Sequence, residues 1–308
     1  MSFLGRLFSR NPTVSPAEGA ARPTAELGRW STPALQATEL RIEGGLATDP
    51  GCVREINEDF ARIIRPTTPA ALHKRGVLAV VCDGMGGHEA GEIASRLAVE
   101  TIVRRFEEDE LAADPVAAVP RSVQAANRAI FDAAERNHQM RGMGTTCTVL
   151  LLRDGMAYGA HVGDSRIYLI RGGDIFLMTE DHSAVMELVR RGVITRDEAR
   201  HHPDKNVISR ALGSHRDVQV TGWPQPFAVL PGDRFLLCTD GLYDLVDDEQ
   251  LLATARDVHP QVACDRLITL AREAGGHDNI SVAILVMSTP HESTSAGMRE
   301  TRAIEIPQ

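Results

Sequence analysis

Three apolar runs in this sequence each meet an aspartate at one end: VLAVVCDG at 77–84, RFLLCTDG at 234–241 and, in the reverse sense, DNISVAILV at 278–286. Their length and their valine, leucine and isoleucine content mark buried strands. A carboxylate at the end of a buried strand is costly unless a cation, a proton or an exposing turn settles its charge. Further charge stands in HVGDSRIYLI, where Asp164 follows a glycine bend, and in TDPGCVREINEDF, which sets Arg54, Glu58 and Asp59 before another strand-like run. Any single Asp-Gly is a common turn. Several acids at the ends of antiparallel strands are another matter, because neighbouring strands bring them together.

The stretch DGMGGHEAGE, 83–92, allows two readings: a phosphate-cradling loop, or one wall of a metal site. A P-loop needs a lysine, and none is present; a dinucleotide fingerprint needs a third glycine where Glu89 stands. Asp83, Glu89 and Glu92 would repel a phosphate. Two carboxylates about 4 Å apart repel by ~4 kcal/mol at an effective dielectric of about 20, so a cluster has to hold protons or cations. Oxygen donors without paired Cys or His select Mg²⁺ or Mn²⁺ over Zn²⁺. The natural occupant is a dinuclear site roughly 3.5–4 Å across, bridged by one carboxylate and a water of lowered pKa, and its natural electrophile is a phosphate ester. Arg54 beside such a site either grips two phosphoryl oxygens or only neutralises Glu55 or Glu58.

The chain has 308 residues and 43% hydrophobic content, enough for real cores. Its net charge of −9, with basic residues scattered, opposes a broad affinity for nucleic acid. No apolar run approaches the ~20 residues that span a bilayer, and MSFLGRLFSR lacks the features of a secretion signal. Five cysteines without a CxxC argue against a zinc knuckle or disulfide framework, and Cys82, Cys147 and Cys238 read as core residues. The expectation is a cytoplasmic protein with no stable membrane insertion.

Residues 1–42 and 289–308, rich in small and polar residues, read as flexible tails around one domain at 43–288. Within it, GTTCTVLLLRDGMAYGAHVGDSRIYLIRGGDIFLMT reads as four short strands joined by tight turns. Helical patterns cover GEIASRLAVETIVRRFEE, RSVQAANRAIFDAAERNHQ and PQVACDRLITLAREAG, the first with Ile93, Leu97, Val99, Ile102, Val103 and Phe106 largely on one face. One-striped helices and antiparallel sheets cover each other in an α+β arrangement, a sheet-on-sheet core flanked by helices.

TDPGCVREINEDF, VVCDGMGGHEAGE, GMGTTCTVLLL, HVGDSRIYLI, the stretch from TEDHSAVMELV to NVISRALG, LLCTDGLYD and GGHDNISV, in this order, resemble the metal-dependent serine/threonine protein phosphatases of the PPM (type 2C) family, bacterial branch. The resemblance implies a four-layer α/β/β/α sandwich with a helical flap at about 181–212. It implies Mn²⁺ or Mg²⁺, two ions with a third, weaker one. Asp83 would bridge two ions and the carbonyl of Gly84 would ligate one. Asp240 and Asp278 would complete the first shell, Glu58 and Asp59 would support the second ion directly or through water, and Asp164 with Asp240 would hold the third. Arg54 would bind phosphate while a bridging hydroxide attacks phosphorus without a phospho-enzyme. The implied partners are phosphorylated proteins and a cognate Ser/Thr kinase. Asn279 would orient water or backbone.

Met85 stands where animal members place a histidine proposed as general acid, so either water or a group such as His88 supplies that proton, and Met85 packs the loop. His182, His201 and His202 lack zinc-ligand spacing and are expected to meet solvent or substrate. Two rivals are a catalytically dead phosphoprotein-binding relative and a dinuclear hydrolase of nucleotide or nucleic-acid phosphodiesters. The intact set Arg54, Asp83, Asp240 and Asp278 opposes the first, and the net charge opposes nucleic acid in the second.

Overall fold

The computed structural model describes residues 22–23, 40–86 and 90–289. Most of both expected tails, and the readings on His88 and Glu89, lie outside the described residues. In chain order the strands are β1 (Arg22–Pro23), β2 (Arg41–Asp49), β3 (Phe60–Ile64), β4 (Val77–Cys82), β5 (Gly84–Met85), β6 (Gly144–Thr145), β7 (Cys147–Arg153), β8 (Met156–Val162), β9 (Arg166–Arg171), β10 (Asp174–Leu177), β11 (Thr221–Gly222), β12 (Phe227–Ala228), β13 (Arg234–Cys238) and β14 (Ile280–Ser288). The helices are α1 (Pro69–Arg75), α2 (Ala90–Glu107), α3 (Pro115–Arg136), α4 (Ala184–Arg190), α5 (Arg196–Arg200), α6 (Asp240–Tyr243), α7 (Asp248–Ala255) and α8 (Pro260–Glu273).

One sheet runs β1-β10-β9-β13-β14-β2 and the other β11-β8-β7-β4-β3, with β12 also on β8. Apart from the two-residue β1–β10 pairing, both are antiparallel. Side-chain alternation explains the stack. All six residues of β4 are buried. Leu78, Val80 and Cys82 face the layer shared with α2 and α3, while Val77, Ala79 and Val81 face the other sheet. On β13, Leu236 and Cys238 face α8, and Phe235 and Leu237 face inward. A period of two therefore builds three apolar layers inside a helix–sheet–sheet–helix sandwich, as the α+β reading expects.

Two helices differ from their sequence patterns. On α2, Ala94, Ala98 and Ile102 are fully buried, while Ile93 and Leu97 lie half-buried on its flank, because small alanines let the helix approach the sheet. Helix α3 starts six residues before the expected Arg121. Asp114 accepts the Ala117 amide at 3.3 Å and Pro115 occupies the first helical position. Strand β2 begins at Arg41, two residues before the expected boundary at 43, because it pairs with β14 from Arg41↔Ser288 to Asp49↔Ile280. Its outer edge is held by Gln261, which accepts the Leu46 amide at 3.1 Å and donates to the Leu46 carbonyl at 3.0 Å. Gly45 permits this approach, since a Cβ there would fall 2.3 Å from the Pro260 backbone.

Register sets the functional end. Phe60 faces Cys82, Cys238 faces Arg166 and Ile280 faces Asp49. Asp59, Asp83, Asp164, Asp240 and Asp278 therefore all lie just beyond strand ends on one side of the sandwich. At the opposite end, Arg171 and Asp233, 7% and 1% exposed, pair with Nε donating to Oδ1 at 2.7 Å, and Arg171 stacks over Phe227. Removing one partner of such a buried pair strands charge in the core. Asp233→Ala should cost about 3–5 kcal/mol in urea unfolding and leave the activity of the folded fraction unchanged.

Candidate metal centre

The acidic side chains are held through a polar framework of threonines, a serine and an asparagine. The Asp83 amide donates to Thr146 Oγ1 at 2.9 Å, and its carbonyl accepts the Thr146 amide and the Thr145 hydroxyl, both at 2.8 Å. Thr146 Oγ1 lies 2.7 Å from Ser165 Oγ, tying the strand end of Asp83 to the turn that carries Asp164. The Thr239 hydroxyl donates to Asp59 Oδ2 at 2.9 Å and accepts the Ser281 amide at 3.0 Å. Asn279 orients backbone: its Oδ1 accepts the Glu58 amide at 2.8 Å, and its Nδ2 donates to the carbonyls of Pro50 and Ile56 at 3.1 and 2.9 Å. Met85 pairs with Gly144 and packs against it.

The electrostatics are those of crowded carboxylates. Burial, then the charges of Asp59, Asp240, Asp164 and Asp278, push Asp83 well above the ordinary carboxylate range. Asp59 is raised to about 7, chiefly by burial, with Asp240 and Asp278 adding to the shift. Asp240 is raised to about 6 by burial and by Asp244 and Asp278. Its carboxylate and that of Asp83 each feel the other, a crowding that a shared proton or a cation relieves. Burial and Asp240 likewise raise Asp164, and burial raises Glu58 against the pull of Arg54. Asp83 and Asp240 are partly exposed, whereas Asp59 and Asp164 are only 4% and 3% exposed.

Cations stand at the margins. Arg54 Nη2 donates to Asp278 Oδ2 at 2.8 Å, with both side chains about half exposed. Its carboxylate partner is thus Asp278, not the Glu55 or Glu58 that the purely neutralising alternative named. Arg166 is committed to Asp181, with Nη2 to Oδ2 at 2.7 Å, and lies 3.6 Å over the Tyr243 ring. The segment expected as a flap carries α4 and α5 and meets the body through Lys205–Asp244 and Arg200–Asp248, at 2.5 and 3.4 Å. His201 on it is exposed, but His182 is buried, contrary to the expectation that it meets solvent or substrate.

Whether these residues suit a divalent cation can be read from the donors. Glu58 Oε1, Asp59 Oδ1 and Asp164 Oδ1 are buried carboxylate oxygens without a hydrogen-bond partner. A buried unpaired carboxylate oxygen is expensive, and a hard cation satisfies it. Among the described residues no three Asp, Glu, His or Cys side chains already form a closed cage. The donor set fits Mg²⁺ or Mn²⁺.

The family profile described as Protein phosphatase 2C matches residues 67–272. This chain belongs to the protein phosphatase 2C family. It is 37% identical over 237 residues to the serine/threonine protein phosphatase PstP of Mycobacterium tuberculosis, covering 77% of this chain but 43% of that relative's length. It is 35% identical over 244 residues to the serine/threonine phosphatase stp of Listeria innocua, covering 77% of this chain and 93% of the relative. The crystal structure of the catalytic domain of PstP in complex with two manganese ions superposes with a TM-score of 0.68 at 35% identity, covering 81% of this chain and 99% of that one.

For a member of this family, several supporting residues carried no sequence signal. Gly91 is one: a Cβ there would fall 2.4 Å from Glu58 Oε1 and 2.9 Å from the Gly84 backbone, so a side chain at the start of α2 would displace that carboxylate and crowd the strand. Thr146 and Thr239 sit in strand-like runs and read as ordinary β-branched residues until their hydroxyl partners are seen.

Asp59 and Asp240 bind protons more tightly in the folded protein than in the unfolded chain. Metal-free stability should therefore fall as pH rises from about 4 toward the folded values of about 7 and about 6, then level off. Melting curves in EDTA between pH 5 and 8 should show Tm declining. Millimolar Mn²⁺ should raise Tm most at the alkaline end. A Tm that climbs over this range in EDTA would mean the acids are not held together.

Proposed function

We propose that this chain is a Mn²⁺- or Mg²⁺-dependent phosphatase acting on phosphoserine and phosphothreonine of proteins, its catalytic unit lying within residues 43–288. The observation that supports this most is the crowding of Asp59, Asp83, Asp164, Asp240 and Asp278 with orphaned buried oxygens, beside a half-exposed guanidinium, in a protein phosphatase 2C fold. The relatives named as serine/threonine phosphatases and the manganese-bound structure favour this substrate class and these ions. The chain spans 43% of the mycobacterial relative's length, so the activity is inferred for the shared portion.

In this reading Asp83 would serve two ions, the Gly84 carbonyl, Asp240 and Asp278 would help hold one, Glu58 and Asp59 would support the other directly or through water, and Asp164 with Asp240 would hold a weaker third. When bound, the ions supply a water of lowered pKa as nucleophile and positive charge for the phosphoryl oxygens. The protein's part is positioning. Asp83 is fixed at its backbone by Thr145 and Thr146, which sets the point from which its carboxylate reaches. Arg54 uses one N–H on Asp278 and presents the rest of its fork to solvent, where two phosphoryl oxygens can be gripped side by side. The acidic walls exclude a substrate phosphate until cations neutralise them, so binding is gated by metal. A cognate Ser/Thr kinase is the natural opposing partner. Cytoplasmic residence agrees with five free cysteines.

Arg54→Ala should lower kcat/KM for a phosphopeptide by about 2–4 kcal/mol while Mn²⁺ binding stays near normal. Collapse of metal affinity would make the arginine structural instead. Manganese-dependent hydrolysis of p-nitrophenyl phosphate by the full chain, compared with Asp240→Asn, tests the reaction itself. Equal rates would favour a phosphoprotein-binding module, and faster turnover of a cyclic dinucleotide than of phosphopeptides would favour a phosphodiesterase.

A further inference from the structure

His182 follows Asp181 at the start of the flap region, and its side chain turns inward. It is 4% exposed and engages both backbone polar groups of one glycine: Gly163 donates its amide to His182 Nδ1 at 3.1 Å and accepts the His182 amide at 2.9 Å. Gly163 has φ +99°, and a Cβ there would fall 2.6 Å from Thr146 Cγ2, so this turn is both conformationally special and tightly confined. The next residue is Asp164, whose buried Oδ1 has no partner. On its other side, the His182 carbonyl accepts the Ser209 amide at 2.8 Å, and the Ala184 amide donates to Val207 at 2.8 Å, joining the two ends of the flap.

Because Nδ1 accepts an amide, the ring proton lies on Nε2 and is donated to Thr221 Oγ1 at 2.9 Å; the 3.4 Å approach of Arg210 to Nε2 is then proximity, not a bond. The ring stacks on His161 at 4.7 Å, and His161 Nε2 lies 2.9 Å from the Glu180 carbonyl. Two buried imidazoles face to face remain neutral, which keeps Nδ1 an acceptor; burial and His161 hold His182 at about 3. We infer that His182 is a positioning residue: by clasping Gly163 it fixes the carboxylate of Asp164 at the edge of the acidic cluster and couples that carboxylate to the base of the flap. This rests on the phosphatase reading only where it invokes metal.

The test uses the full chain and three variants. His182→Asn keeps an acceptor where Nδ1 stands, His182→Gln keeps a polar group toward Thr221, and His182→Ala keeps neither. Hydrogen exchange in EDTA follows the Gly163–Arg166 turn, and calorimetric Mn²⁺ titration follows the weakest site, with Asp164→Asn as reference. Expected are faster exchange at the turn and weakest-site affinity reduced on the order of 10–100-fold, as for lost outer-shell partners, in the Ala and Gln variants, with Asn close to the parent protein. The kcat should fall more than KM rises. Should Asn fail where Gln succeeds, or should all three match the parent in exchange and titration, the inference is overturned. If His182→Ala does not fold, the Asn and Gln pair still decides. A parent chain without Mn²⁺-dependent turnover would sink the phosphatase reading alone, because the exchange measurement does not depend on it.

Discussion

Carboxylates that repel one another, yet are forced together by strand register, are the constraint on which the rest of this structure turns. The backbones of Asp83, Asp240 and Asp278 cannot move apart, since the first two follow buried apolar strands and the third precedes one, each within two residues. The apolar layers dictate where those strands end, and so they dictate where negative charge accumulates. Stability and function are opposed here in the same atoms: the packing that stabilises the sandwich creates the local cost, and a divalent cation relieves it.

The framework around the acids divides the work by chemistry. Hydroxyl and amide groups from Thr145, Thr146, Thr239 and Asn279 hold backbone and single carboxylate oxygens, leaving the other oxygens open. Among the described residues, arginines do not enter the centre. Arg166 is spent on Asp181 and Tyr243, and Arg54 stays at the rim, where a guanidinium can act on an arriving anion without competing for every acid. A fully paired cluster would have been quiet and stable, with no affinity left for metal.

Much of this was legible in the sequence because the signals were of a strong kind. The strands β4, β7, β13 and β14 are continuous apolar runs, and the acids at their ends are visible without any structure. The resemblance supplied the assembly that periodicity alone could not. What escaped has identifiable causes. Helix α7 is eight residues long with a polar capping box, too short to show a clear apolar period. The start of α3 hid behind Pro120, which reads as a boundary although the helix passes through it. His182 looked like a surface histidine because it adjoins a polar segment, and only the tertiary contact with Gly163 reveals its inward turn. Gly91 and Thr146 serve the site through space, which no local pattern encodes.

The pairing of β2 with β14 has a kinetic consequence. The first long strand of the sandwich finds its partner more than two hundred residues later, and the contact between Arg54 and Asp278 spans 224 positions. On a ribosome adding roughly 5–20 residues per second, β2 waits on the order of tens of seconds before β14 emerges. Until then that strand has no partner in the sheet and the acidic cluster lacks Asp278, so a nascent chain cannot assemble this centre piecemeal. High contact order of this kind slows folding. It also makes the assembled acidic centre an all-or-none property of the finished domain, arriving only when the last strand joins the sheet.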